Sequence, residues 1–161
     1  AGGDDISMDT NNLTLTSADT GYPVIGVVSN HTDKDKSGEL RFKKDAADTE
    51  DGENLGKITW YGEDEGNNNT QFAGILAEIS ESDEGDEAGK LTFSVAESDG
   101  TNTAVTAGLI LEGEHATDGQ IDVTIAAGAA STTTIAGDLS VTGSTNLYSY
   151  VYLTWSASAI Y

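Results

Sequence analysis

Apolar and polar residues alternate along several short stretches of this chain. Leu13-Thr14-Leu15-Thr16, Glu39-Leu40-Arg41-Phe42, Lys57-Ile58-Thr59-Trp60, Lys90-Leu91-Thr92-Phe93-Ser94-Val95 and Ile121-Asp122-Val123-Thr124-Ile125 set their apolar side chains two apart. That is the period at which a strand returns to one face. The run Phe72-Ala73-Gly74-Ile75-Leu76-Ala77-Glu78-Ile79 fits helical spacing and reads equally as a strand. Clusters of acids, Gly and Asn at 48–53, 63–69, 81–89 and 97–102 separate the stretches and read as solvated turns. Twenty Thr and a single Pro suit short pleated strands better than helices. The expected fold is all-β.

One unit recurs. Gly38-Glu39-Leu40-Arg41-Phe42, Gly56-Lys57-Ile58-Thr59-Trp60 and Gly89-Lys90-Leu91-Thr92-Phe93 share the order Gly, charge, aliphatic, polar, aromatic. On a strand the aliphatic and aromatic residues share one face, and the charge and the polar residue take the other. The copies are spaced unequally, so they read as equivalent strands of a small β-meander with variable loops. Residues 116–146 differ. Ile121, Val123 and Ile125 form one apolar row, and Ile135, Leu139 and Val141 the next, with Gly128, Gly137 and Gly143 between them. Strands this short are marginal alone. Several chains wound about one axis would join these rows into a shared core.

Composition sharpens the problem. Leu, Ile, Val and Phe together make 32 of 161 residues, and 28 acids against seven bases leave a net charge of −21. A large-aliphatic-plus-Phe share of about 20% at such charge lies on the compositional border of disorder. The last base is Lys90, so residues 91–161 carry seven acids and no Lys or Arg. Phosphates of nucleic acid and anionic lipid surfaces would repel such a chain, and no stretch approaches the roughly 18 apolar residues of a membrane span. Neither a nucleic-acid partner nor membrane insertion is expected. The absence of cysteine excludes disulfides and thiolate metal sites. Beginning at Ala1, the chain reads equally as one trimmed of its initiator, one cleaved from a leader, and a piece of something longer.

Candidate chemistry is sparse. Asp33-Lys34-Asp35-Lys36-Ser37-Gly38-Glu39-Leu40 matches the first two-thirds of an EF-hand loop, whose alternate oxygens and Gly serve Ca²⁺. Asp33, Asp35 and Ser37 are therefore the metal candidates. The closing bidentate Glu is replaced by Lys44, two lysines sit inside the loop, and no helix flanks it. The plainer reading is a solvated turn before a Gly-led strand, with no cofactor. The cluster Glu81-Ser82-Asp83-Glu84-Gly85-Asp86-Glu87 reads as a turn whose charge discourages edge-to-edge pairing. His31 and His115 fall in polar turns, and no Ser occupies a nucleophile context; no enzymatic activity is expected. The segment Leu147-Tyr148-Ser149-Tyr150-Val151-Tyr152-Leu153-Thr154-Trp155 holds four of the eight Tyr and Trp residues. Tyr148, Tyr150, Tyr152 and Trp155 are candidates for receptor contact or for contact between subunits.

The order of these pieces resembles a known family. Gly56-Lys57-Ile58-Thr59-Trp60-Tyr61-Gly62-Glu63-Asp64, the Phe72–Ile79 run, Gly89-Lys90-Leu91-Thr92-Phe93-Ser94-Val95 and Ala107-Gly108-Leu109-Ile110-Leu111-Glu112-Gly113 resemble a segment of the tail fibre and tailspike proteins of tailed bacteriophages. Thr134-Ile135-Ala136-Gly137-Asp138-Leu139-Ser140-Val141-Thr142-Gly143 is similar to a shaft segment that often follows there. The likeness spans about residues 38–143, and the aromatic stretch 147–155 falls outside its pattern. It implies an elongated, fibrous homotrimer in a virion appendage, extracellular when acting, that serves as shaft and host-attachment element. Its partners would be other appendage proteins and a host surface glycan or protein. The expected organisation is a leading strand region or connector at 1–30, a β-module at 31–115, and an intertwined short-strand shaft with an aromatic-rich terminal strand at 116–161. Ile121, Val123, Ile125, Ile135, Leu139 and Val141 would form the trimer core. Two other readings fit the same residues: a glycan-binding receptor-recognition module, and a cellular extracellular filament or adhesin protein.

Overall fold

The computed structural model describes residues 13–17, 23–115, 119–126 and 128–145. The chain divides into two compact units, Ala1–Lys43 and Lys44–Tyr161.

The second unit carries five strands: β1 (Asn54–Glu63), β2 (Asn69–Glu81), β3 (Ala88–Ser98), β4 (Thr103–Gly113) and β5 (Ile121–Ile125). They form one antiparallel sheet in the order β1-β2-β3-β4-β5, a plain meander with no helix among the described residues. The stretch 72–79, open between helix and strand by spacing, lies in β2. The acid, Gly and Asn clusters supply the turns, as their composition predicts. Asp64 accepts from the backbone N–H groups of Gly66 (2.8 Å) and Asn68 (2.9 Å) between β1 and β2. Between β3 and β4, Asp99 accepts from Thr101 (2.8 Å) and Asn102 (2.7 Å). Short carboxylate side chains that bond the backbone ahead of them make such turns compact.

The ladders are interrupted in four places, one of them between Ile79 and Glu81 of β2. The other register shifts lie between Asn54 and Gly56, between Trp60 and Tyr61, and between Phe93 and Ser94. Each puts an extra residue opposite one partner, which bends the strand and raises its twist. Beyond β1 the pairing continues: Gly52 donates to the Ile79 carbonyl (2.8 Å) and Ile79 to that of Glu53 (2.9 Å). Asp51 then accepts from both the backbone and the hydroxyl of Ser82, at 2.9 Å each.

The first unit behaves differently. Residues 13–16 and 39–42 alternate as strands do, yet neither stretch forms a hydrogen-bonded strand. Alternation describes a surface the segment would fit, and a strand exists only when a neighbour takes up its backbone groups. The backbone at Gly38 lies against the carbonyl of Val27, so close that any Cβ there would collide. Val24, Ile25, Val28, Leu40 and Phe42 are all exposed.

The described chain has no hydrophobic core: among the described residues no hydrophobic side chain is buried.

Candidate functional site

The register sorts the sheet's side chains onto two unlike faces. Directly paired residues share a face. Ile58 pairs with Ile75, Ile75 with Phe93, Phe93 with Leu109 and Leu109 with Ile125. A row of five large apolar side chains thus crosses every strand of the sheet. Two residues along, Gly56, Ala77, Leu91, Leu111 and Val123 form a second row on the same face. On the far side of the first row, Trp60, Ala73 and Val95 continue the surface. Neither of the two five-strand rows contains a charge.

The opposite face is the more polar one, with Leu76 and Ile110 set among charged and hydroxyl side chains. Lys57, Leu76, Thr92, Ile110 and Thr124 form one of its rows. Asn54, Glu78, Lys90, Glu112 and Asp122 form the next. Lys90 is the single cation among three carboxylates, and its Nζ lies 3.3 Å from Glu78 Oε2. The recurring Gly-led unit produces this split on β1 and β3, where Ile58 and Trp60, or Leu91 and Phe93, share the apolar face. Lys57 and Thr59, or Lys90 and Thr92, share the polar one.

The shaft residues fall in two places. Ile121, Val123 and Ile125 lie on β5, the fifth strand of the meander, paired with β4. They stand 67%, 56% and 57% exposed, on the apolar face. Ile135, Leu139 and Val141 lie outside any strand, also exposed. The apolar face also holds residues outside the expected trimer core: Ile58, Trp60, Leu91 and Phe93, which alternation places on one face of their strands, and Ile75, Leu109 and Leu111, which join them through the register. The Gly-led unit marks the apolar-face pair on β1 and β3.

The metal candidates form a turn. Asp33 Oδ1 accepts from the Asp35 N–H (3.2 Å), the Asp33 carbonyl accepts from Lys36 (3.1 Å), and Asp33 donates its own N–H to His31 Nδ1 (3.0 Å). Ser37 is exposed beside them. Lys44, at the position of the EF-hand's closing Glu, is paired with Glu53 at 2.6 Å. Among the described residues, no group of three or more His, Cys, Asp or Glu is gathered to hold a metal ion. His115 stands between two carboxylates, 3.6 Å from Glu81 and 3.5 Å from Asp86. Tyr148, Tyr150, Tyr152 and Trp155 lie outside the described residues.

Hydrogen bonding holds three turn carboxyls below their usual range. For Asp64 the donors are chiefly Asn68, backbone then side chain; for Asp99, the backbone of Asn102 then Thr101; for Glu87, the backbone of Gly85. All three are exposed and belong to turns.

Comparison of the chain with protein-family models, with curated proteins and with solved structures finds no match.

Proposed function

We propose that this chain is a non-enzymatic structural element of a virion appendage, a homotrimeric fibre segment of the tail-fibre type. It serves as shaft and host-attachment element. The observation that carries the reading is the lack of any buried hydrophobic side chain among the described residues, although the sheet has a continuous apolar face. Hydrophobic burial is the main favourable contribution to folding, and a chain that leaves its apolar face wet gains little of it. Chains that cannot fill a core alone find one in partners.

The exposed apolar side chains outside the sheet, Val24, Ile25, Leu40 and Phe42 in the first unit and Ile135, Leu139 and Val141 after β5, support the same reading. Three copies wound together would supply the missing strands and cover Ile135, Leu139 and Val141. The viral setting rests on the order of motifs between residues 38 and 143. The work of such an element is mechanical: it holds a host-contacting tip at a distance and resists bending.

Antibody raised against the purified chain, applied with gold label to virus particles from the source of the sequence, tests the setting. Label on a tail or fibre supports it, and particles uniformly free of label overturn it.

A further inference from the structure

We infer that the apolar face of the sheet is an interface between copies of this chain, turned inward toward the axis the copies share, with the Lys90 face turned to solvent. The inference rests on the reading of the chain as a self-assembling element and names the surface it uses.

A partner could meet the sheet in three ways: on either of its two faces, or along its β1 and β5 edges. Joining edges would pair ten-residue β1 with five-residue β5, satisfying about half of one ladder. It would also leave every apolar side chain wet, so it does not mend the missing core. The polar face would bring Glu78, Glu112 and Asp122 of one copy against the same residues of the next, on chains of charge −21 each. Packed sheets lie ~10 Å apart, within reach of charges that are only partly screened over ~8 Å.

The apolar face has neither defect. Its two central rows, Ile58–Ile75–Phe93–Leu109–Ile125 and Gly56–Ala77–Leu91–Leu111–Val123, carry no charge. Five strands about 4.8 Å apart and about nine residues long give a face of roughly 700 Å². A standard stable interface takes about 800 Å² from each partner, so one face is close to what a specific contact between copies needs. Its composition also suits an interface centre: Trp60 and Phe93 among aliphatics, with charge excluded.

Thiol labelling of the full chain tests this, because the sequence contains no cysteine. Val95 and Val123 stand on the apolar face at 57% and 56% exposure, and Val105 on the polar face at 41%. All three are open in the single chain. Val95→Cys and Val123→Cys should react with a maleimide at least tenfold more slowly than Val105→Cys, and all three should react alike in denaturant. Each variant's mass is measured by light scattering beside the labelling. Multichain particles whose Val95→Cys and Val123→Cys thiols react as fast as that of Val105→Cys overturn the interface and leave the assembly reading standing. Particles of single-chain mass overturn both.

Discussion

Phe93 on β3 stands directly opposite Leu109 on β4, at the middle of an apolar row that spans all five strands. Its chain neighbour Thr92 points to the polar face, opposite Ile110. Adjacent residues should therefore respond very differently to truncation. Phe93→Ala should lower the stability of the assembled protein by about 3 kcal/mol, the range for losing an aromatic from a packed core. Thr92→Ala should change it by no more than about 0.5 kcal/mol. Thermal unfolding at matched protein concentration reads both.

Lys90 is the charge balance of its row. It faces Glu78 across one ladder and Glu112 across the other, and Glu112 faces Asp122 in turn. Beyond Lys90 the chain has no Lys or Arg to replace it. Lys90→Met should cost about 1 kcal/mol. Lys90→Glu should cost more, because like charges would then stand opposite one another across both ladders. Raised salt should narrow the Lys90→Glu deficit by screening the repulsion, a trend that urea midpoints at low and high salt would record.

The turn at Asp64 gives a pH dependence of known sign. Its folded carboxyl is held below the usual range by hydrogen bonds from Asn68 and Gly66. A depressed carboxyl contributes stability above its unfolded pKa, about 4, and loses it as pH falls through the folded value. Asp64→Ala should thus be less stable than the parent at neutral pH. The gap should close in acid below about pH 4. Denaturant midpoints across that range check the crossing.

Ala126 follows β5 with φ of 72°, in the left-handed region that favours glycine. Its N–H donates to the Gly108 carbonyl at 2.9 Å, where the sheet closes on its last strand. A Cβ in this conformation costs about 1–2 kcal/mol. Ala126→Gly should therefore be neutral or stabilising, whereas Ala77→Gly, within β2, should destabilise by about 0.5–1 kcal/mol. Melting temperatures of the two variants make the comparison.

Much of the sheet is legible in the residues. The Asp64, Ser82–Glu87 and Asp99–Asn102 turns follow from side chains that bond their own backbone, a local matter. The two faces follow from alternation, also local. Pairing is not local. Glu39-Leu40-Arg41-Phe42 has the same pattern as Lys57-Ile58-Thr59-Trp60, yet only the second meets a neighbouring strand within the chain. Ile121–Ile125 reads as part of a separate shaft, and it completes the meander because Leu109 and Leu111 continue its apolar rows. The bulge opposite Phe93 and Ser94 falls at Gly108 of β4, and a glycine within a strand can mark a bulge without fixing the register it produces. It lets Leu109 meet Phe93 while Thr106 meets Val95, a shift that only the paired strands together define. The candidate interface was half visible: Ile121, Val123 and Ile125 stood out by spacing, and Ile75 and Leu109 emerged only through register.

On the proposed reading, the apolar face of the sheet is buried only between copies of the chain. Light scattering of the purified protein, followed across a dilution series, tests this most directly. Particles of three 16.7 kDa chains are expected, with a melting temperature that falls on dilution because folding and association are linked. A single 16.7 kDa chain with a cooperative, concentration-independent unfolding transition would contradict it.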